Sequence, residues 1–200
     1  MHDRDHSIVT RVLAGEKRAY AELVDRHKDR AMTLAMRMLK NREDAEEALQ
    51  DAFVRAFHAL SRFEWKSSFS TWFYRIVYNV CSTALARKGE ELHRSLDEET
   101  EGESFDPPSD ILLPDAAYES AEFSRIVREE VNLLPPMYGS VFTLFAMQEM
   151  SYEEIVNVTG LSLSAVKVRL FRARALLRDA VTKRLGNEVT VLQKEGVHES

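Results

Sequence analysis

Residues 151–178 read SYEEIVNVTGLSLSAVKVRLFRARALLR and predict two helices joined by a sharp turn. Ser151 and Glu154 have the spacing of a capping box, in which both side chains accept hydrogen bonds from backbone N–H groups that an opening helix leaves unpaired. We expect this helix to begin at Ser151 and to end at Gly160, because glycine adopts the left-handed backbone conformation at little steric cost. Residues 161–164 lead into a second helix. This is the arrangement of a DNA-binding helix-turn-helix.

The second helix of this pair combines an apolar stripe with a basic face. The stripe follows three- and four-residue steps through Val166, Leu170, Ala173 and Leu177, and we expect it to pack on Ile155. Between residues 162 and 185 the chain has seven basic residues and one acidic residue, a net charge of +6, although the whole protein carries −6. A solvated basic face on a structural helix is one interpretation. The local charge favours the other, a surface that binds nucleic acid, because cations attract phosphates and release their counterions.

An acidic segment precedes the two helices. Residues 90–115 contain ten acidic residues and one arginine, a net charge of −9, together with Gly102 and three prolines. Such a segment cannot bury enough apolar surface to offset the cost of ordering it. We therefore predict an all-α fold with two small helical domains, residues 1–89 and 118–186. A flexible acidic linker at residues 90–117 joins them, and a tail at residues 187–200, for which the sequence suggests no function, follows.

The composition excludes several classes of protein. The chain has 200 residues, 44% of them hydrophobic and 30% charged, which is ordinary for a globular protein. It has no long apolar run, and its N-terminus lacks the apolar core of a signal peptide, so we expect a cytoplasmic protein without membrane insertion. Cys81, the single cysteine, is more readily explained as a small buried residue than as a redox sensor. The six histidines form no ligand pattern, and we predict neither a metal nor a cofactor.

An enzyme receives little support. The sequence shows no glycine-rich phosphate loop and no nucleophile paired with a base at a recognisable spacing, so we predict no catalytic residues.

The N-terminal half is predicted to be helical throughout. Apolar residues recur at helical spacing over residues 18–39, 43–63 and 69–87, with hardly a glycine or proline inside. Asn41 and Asp44 suit the start of the second helix, and further acidic residues follow in its opening turns. From these residues alone, a solvated acidic face is the preferred interpretation.

Aromatic residues are concentrated around the third of these helices. Residues 63–81 read FEWKSSFSTWFYRIVYNVC and hold seven aromatic side chains beside Lys66 and Arg75. Aromatic rings stack on unpaired bases, with about 1 to 3 kcal/mol per base, so this mixture suits single-stranded nucleic acid. A domain this small also needs large residues inside, and we expect only a minority of the rings to be exposed. Spacing does not show which ones.

Four ordered motifs resemble the extracytoplasmic-function family of bacterial RNA polymerase sigma factors. They are DAEEALQDAFVRAFHAL (residues 44–60), FEWKSSFSTWFYRIVYN (63–79), LPPMYGSVFTLFAMQEMSYEEIVNVTGLS (134–162) and AVKVRLFRARALL (165–177). The resemblance covers nearly the whole chain. It implies a short alternative sigma factor that keeps only the second and fourth sigma regions, binds core polymerase and promoter DNA, and initiates transcription of a specific regulon.

The resemblance implies three sets of binding residues. The first docks on the clamp helices of the polymerase beta-prime subunit and comprises Asp44, Glu47, Gln50, Asp51 and Phe53; the resemblance also implies the beta flap of the polymerase as a partner. For Gln50 and Asp51 at least, this replaces the solvated-face interpretation. The second opens the minus-10 promoter sequence and holds a flipped base, and comprises Phe63, Lys66, Tyr74 and Asn79. The third binds the minus-35 element in the major groove, and comprises Ser164, Lys167, Val168, Phe171, Arg172 and Arg174.

Some alternatives stay open. Helical geometry places Val168 and Phe171 away from the apolar stripe, where they contact either thymine methyl groups or a packing partner. Trp65 stands where members of the family often carry glycine, and Lys66, Val156 and Val168 also depart from common residues. These departures put the promoter preference in doubt. The resemblance also implies an anti-sigma protein that covers both domains. The main alternative function is a helix-turn-helix regulator that binds duplex DNA alone.

Overall fold

The protein is described by a computed structural model, which gives the backbone of residues 2–89 and 121–195 and the side chains of residues 4–89 and 123–185. The predicted linker at residues 90–117 and the last five residues of the predicted tail lie outside the described residues. Within the described part of the chain the regular structure consists entirely of helices, so the predicted all-α fold class is confirmed.

Eight α-helices follow one another along the described chain. Their bounds are α1 His2–Leu13, α2 Tyr20–Leu39, α3 Arg42–Ala59, α4 Phe69–Arg87, α5 Ala121–Leu133, α6 Pro136–Ala146, α7 Tyr152–Thr159 and α8 Leu163–Glu195. Two short 3-10 helices, Lys17–Ala19 and Leu60–Arg62, precede α2 and follow α3. The sequence pattern predicted α2, α3 and α4 closely. It did not predict α1, and it treated the end of α8 as a tail.

Polar caps fix where three helices begin. The side chain of Asn41 accepts a hydrogen bond from the Asp44 N–H group at 3.0 Å, and the Ser68 hydroxyl accepts one from Thr71 at 3.0 Å. At α7 the Ser151 hydroxyl accepts from the Glu154 N–H group while the Glu154 carboxylate accepts from the Ser151 N–H group, which confirms the predicted capping box. Gly160 ends α7 with φ +74°, as expected for a left-handed residue.

Helices α1 to α4 form an N-terminal unit around a largely aromatic core. Phe69, Phe73, Tyr74 and Tyr78 are buried, and Trp65 is the exposed ring of residues 63–81, so the expectation that a minority of rings is exposed is confirmed. Helix α1 adds Ile8, Val9 and Val12 to the core. The sequence does not predict α1, because its three apolar residues make only a short stripe.

A buried ion-pair cluster fastens α1 to α2. The Asp5 carboxylate accepts a hydrogen bond from Arg26 Nε at 2.9 Å and lies 3.1 Å from His27 Nε2. Burial by itself raises the pKa of Asp5, but the hydrogen bonds and charges of His27 and Arg26 outweigh it and hold that pKa below its ordinary value. The cluster therefore keeps Asp5 ionised inside the packed helices.

Helices α5 to α8 form a C-terminal unit organised around α8. Ile155, Val166 and Leu170 lie in the same core cluster, which confirms the predicted packing of α7 on the first part of the stripe. Farther along α8, Ala173 and Leu177 pack with Val131 and Leu134, and Val181 packs with Phe123 and Ile126. Arg184 of α8 forms ion pairs with Glu129 at 2.5 Å and Glu130 at 3.0 Å on α5.

The two units pack directly against each other. Helix α2 contacts α6, α4 contacts α7, and one continuous core cluster contains buried residues of both units, such as Phe73 and Leu144. Polar bonds cross the contact: the Tyr74 hydroxyl donates to Gln148 Oε1 at 2.8 Å and the Thr71 hydroxyl to Glu154 Oε1 at 3.0 Å. Lys40 Nζ donates to the carbonyl groups of Asn132 and Leu134, at 2.6 and 2.7 Å, where α5 ends. We call this arrangement the closed packing.

Candidate functional site

Of the four predicted minus-10 residues, two are exposed and two are buried. Lys66 and Asn79 are exposed, and Lys66 forms an ion pair with Glu64 at 2.5 Å. Phe63 is only 8% exposed, and its ring is surrounded by those of Trp65, Trp72 and Phe69 at centroid distances of 4.6, 4.9 and 6.1 Å. Phe63 thus belongs to the core in this structure.

Tyr74 is also buried, for a different reason. It is 2% exposed because the C-terminal unit covers it, and its hydroxyl is engaged by Gln148. Burial raises the pKa of Tyr74, so the hydroxyl stays protonated and acts as a donor. Sequence reasoning placed Tyr74 on a DNA-binding surface because it did not anticipate that α7 and the loop before it pack on α4.

The four polar members of the predicted polymerase-binding set reach the surface of α3. Glu47 and Gln50 are exposed, and Asp51 is partly exposed and forms an ion pair with Arg55 at 2.8 Å. Asp44 bonds to Lys88 at the end of α4. A shallow groove of about 260 Å³ runs between α3 and α4. Among the residues that line it are Asp44, Glu47, Asp51, Arg55, Thr83, Arg87 and Lys88. A mixture of exposed carboxylates, an amide and cations suits a charged protein partner.

Phe53 differs from the other members of this set. Its ring stacks on Phe73 at 4.6 Å, and its carbonyl oxygen accepts a hydrogen bond from the Tyr20 hydroxyl at 2.7 Å. It is half-buried and supports α3 from below. The expected docking surface therefore consists of the polar members of the set.

The predicted minus-35 residues occupy the start and middle of α8. Ser164 is exposed and bonds to Ser162, while Lys167, Phe171, Arg172 and Arg174 are half-buried. The Arg172 guanidinium approaches the Tyr138 hydroxyl at 3.5 Å, and the Arg174 guanidinium lies 5.0 Å from the centre of the Phe145 ring. Both cations therefore lie against α6.

Two residues of α8 lie deeper than their sequence pattern indicates. Val168 was expected to be an apolar residue on the basic face, but it is 6% exposed, because α5, α6 and α7 all pack on α8 and cover more of it than the stripe. Arg169, which the sequence counted in the basic surface, is 1% exposed. Within the described residues none of its guanidinium nitrogens has a hydrogen-bond partner, which is uncommon for a buried charge. The cationic surface of α8 is correspondingly smaller than +6.

Other sequence-based expectations concern Cys81, metals and membranes. Cys81 is buried and unpaired, as predicted, and burial raises its pKa to about 12. Among the side chains that the structure describes, no cluster of histidine, cysteine and carboxylate ligands could hold a metal ion. None of the described helices is both long and apolar enough to cross a membrane.

Comparisons with known proteins agree with the two-unit architecture. The family model for sigma-70 region 2 matches residues 23–91, and the model for sigma-70 region 4 matches residues 124–177. The chain is 34% identical to an ECF RNA polymerase sigma factor, SigW of Bacillus subtilis, over 85% of this chain and 92% of that protein. It is 31% identical to the ECF RNA polymerase sigma-E factor of Escherichia coli K12, over 88% of this chain and 94% of that protein.

Two solved structures have a similar fold. CnrH, solved in complex with the cytosolic domain of CnrY, superposes with a TM-score of 0.60 at 27% identity, covering 90% of this chain and 97% of that one. The sigma factor RpoE of Bartonella quintana, solved in complex with the anti-sigma factor NepR, gives a TM-score of 0.59 at 20% identity, covering 82% and 96%.

The fold and the basic helix-turn-helix define a two-part, all-helical DNA-binding protein of transcription. The chain belongs to the extracytoplasmic-function family of RNA polymerase sigma factors, with its second and fourth sigma regions in the N-terminal and C-terminal units. This membership favours an alternative sigma factor over a stand-alone regulator.

Proposed function

We propose that the chain docks on the beta-prime clamp helices of core RNA polymerase through the exposed side of α3 and directs the enzyme to promoters. The observation that carries the proposal is the exposed polar face formed by Glu47, Gln50 and Asp51 beside the groove between α3 and α4. Exposed polar side chains contribute little to folding, so a face of this kind is available for a partner. The beta flap of the polymerase is proposed as a further contact.

Recognition of the minus-10 element is assigned to the loop before α4 and to α4 itself. Extruding a base costs a few kcal/mol of stacking, which a pocket returns through ring contacts and hydrogen bonds to the base edge. The exposed amide of Asn79 both donates and accepts, as an exposed base edge requires. Tyr74 joins this surface only after the closed packing opens, because Gln148 occupies its hydroxyl.

Recognition of the minus-35 element is assigned to α8. In a helix-turn-helix the first residues of the second helix contact base edges, and later ones bind phosphates. Ser164 and Lys167 lie at the start of α8 and are assigned to base edges, and Arg172 and Arg174 follow one to two turns later. Phe171 offers an apolar contact for a thymine methyl group.

An anti-sigma partner that holds the two units together is also proposed. CnrH and the Bartonella RpoE were solved with CnrY and NepR respectively, and the closed packing gives such a partner a compact target. Affinity purification of the tagged protein from unstressed cells is expected to recover a partner besides core polymerase. Recovery of core polymerase alone under every growth condition would contradict this part of the proposal.

Run-off transcription with purified core polymerase tests the function directly. The protein is expected to yield transcripts from a limited set of genomic templates, and mapping their start sites should reveal shared minus-35 and minus-10 sequences. A stand-alone regulator would instead give no promoter-dependent transcript while binding duplex DNA tightly and salt-sensitively by itself. A sigma factor is expected to bind duplex DNA weakly until the polymerase holds both units in place.

A further inference from the structure

Trp65 adopts a backbone conformation that its side chain disfavours. Its φ is +59°, in the left-handed region that glycine occupies freely and bulky residues rarely enter. Strained backbone of this kind persists only where the surroundings hold it, and it is concentrated at functional positions. The residue therefore calls for an explanation other than the turn itself, which glycine would make more easily.

Two neighbouring rings pack against the indole of Trp65. The His6 ring of α1 lies 4.3 Å away and the Phe63 ring 4.6 Å away, centroid to centroid. Even so, Trp65 remains 39% exposed, whereas Phe63 below it is 8% exposed. Within the described part of residues 63–81, Trp65 is the large aromatic side chain that solvent reaches most.

The charges beside Trp65 suit a polyanion. Arg62 and Lys66 flank the ring in sequence and are both exposed. The ion pair between Lys66 and Glu64 is solvent-exposed, and exposed pairs of this kind contribute little, so Lys66 can exchange its partner for a phosphate. A packed but solvent-accessible aromatic ring, with exposed cations close to it in the sequence, is the composition of a single-strand binding platform.

We infer that Trp65 is the ring on which an unpaired base of the opened promoter stacks, with His6 and Phe63 as the positioning residues that hold the indole. This inference rests on the proposed function and changes one assignment within it: Phe63 supports the platform from below. Because stacking tolerates any base with a π face, the contact supplies affinity for the separated strand, and polar groups such as Asn79 supply base preference.

Three substitutions at this one position separate a DNA contact from a structural role. The probe is a promoter obtained by transcript mapping, and the readout is permanganate reactivity of unpaired thymines with core polymerase and the full-length protein. Trp65→Ala and Trp65→Gly are each expected to lower open-complex formation about 5- to 150-fold, the range that corresponds to loss of one stacked base. Trp65→Phe keeps a ring and is expected to stay within about threefold of the wild type.

Stability gives the discriminating comparison. Trp65→Gly is expected to unfold at a higher urea concentration than Trp65→Ala, because only glycine removes the backbone strain. Equal losses of open complex in these two variants, despite unequal stability, are the expected result. If open-complex formation instead follows stability, or if Trp65→Phe loses as much as Trp65→Ala, the ring is structural and the inference is overturned.

A control variant and the wild type distinguish failure of the Trp65 assignment from failure of the proposed function. Leu13→Ala removes another exposed apolar side chain, at the end of α1, and is expected to leave open-complex formation unchanged. Absence of any open complex with the wild-type protein would refute the proposed function as a whole. If the wild type opens the promoter and all three Trp65 variants match it, the Trp65 assignment alone is refuted.

Discussion

Replacing Gln50 and Asp51 together by alanine is expected to weaken binding to core polymerase at least about 30-fold while leaving the fold intact. Loss of a hydrogen-bonded charge from a buried interface costs about 2 to 5 kcal/mol, and each 1.4 kcal/mol is a factor of ten in affinity. In the free protein Gln50 is exposed, and the partly exposed Asp51 forms an ion pair with the exposed Arg55 on its own helix. The free energy of unfolding of the double variant should therefore differ from that of the wild type by about 0.5 kcal/mol or less.

Fluorescence anisotropy of the labelled protein titrated with core polymerase measures the affinity, and urea unfolding measures the stability. Asp25→Ala combined with Asp29→Ala is a matched control, because both aspartates are exposed on α2 and Asp25 has an ion pair with Lys28 like that of Asp51 with Arg55. The control double variant should bind as the wild type does. Parallel losses of affinity and stability in the Gln50 and Asp51 variant would show that these residues support the fold and do not dock.

Local chemistry was the part of the fold that the sequence predicted best. The capping box at Ser151, the left-handed Gly160 and the cap at Asn41 depend on neighbours within four residues, and each was found where predicted. Helix α1 escaped prediction because its stabilisation is largely tertiary: Ile8, Val9 and the Asp5 cluster act only when α2 lies against them. Contacts between distant segments leave little periodic trace in a sequence.

In the candidate sites, too, the residues that the sequence misplaced are those whose surroundings come from distant segments of the chain. Exposure of Gln50, Asn79 and Ser164 agrees with their expected roles, and those roles stay proposals. Tyr74 and Arg169 could not have been placed from their own helices, because burial of Tyr74 depends on the C-terminal unit and α8 is covered by three other helices. For Trp65 a signal was available: its departure from the glycine common in the family indicated a left-handed backbone position, which the structure contains.

A triple variant, Lys40→Ala, Thr71→Val and Gln148→Ala, is expected to open the closed packing. It removes one partner of each hydrogen bond described above between α2 or α4 and the C-terminal unit. A hydrogen bond contributes about 0.5 to 1.5 kcal/mol, so the loss at three positions shifts the equilibrium toward open molecules by at least about tenfold. Glu154 keeps its role in the Ser151 cap, so α7 itself should survive.

Energy transfer between dyes on two introduced cysteines, Arg18→Cys and Leu133→Cys, measures the opening. Both positions are exposed, and native Cys81 should not be labelled, because burial raises its pKa to about 12 and leaves almost no thiolate. Transfer should fall in the triple variant and stay unchanged in a control, Lys28→Ala with Thr83→Val, which alters exposed residues away from the contact.

Opening of the closed packing should also change DNA binding, since it uncovers Tyr74 on α4. The triple variant is expected to bind single-stranded promoter DNA more tightly than the wild type when no polymerase is present, because the wild type must first break the contact between its units, and that cost reduces its apparent affinity. Core polymerase should reduce the difference by holding both proteins open. If energy transfer falls but affinity for the single strand stays the same, the closed packing does not restrict the minus-10 surface, and Tyr74 is not part of it.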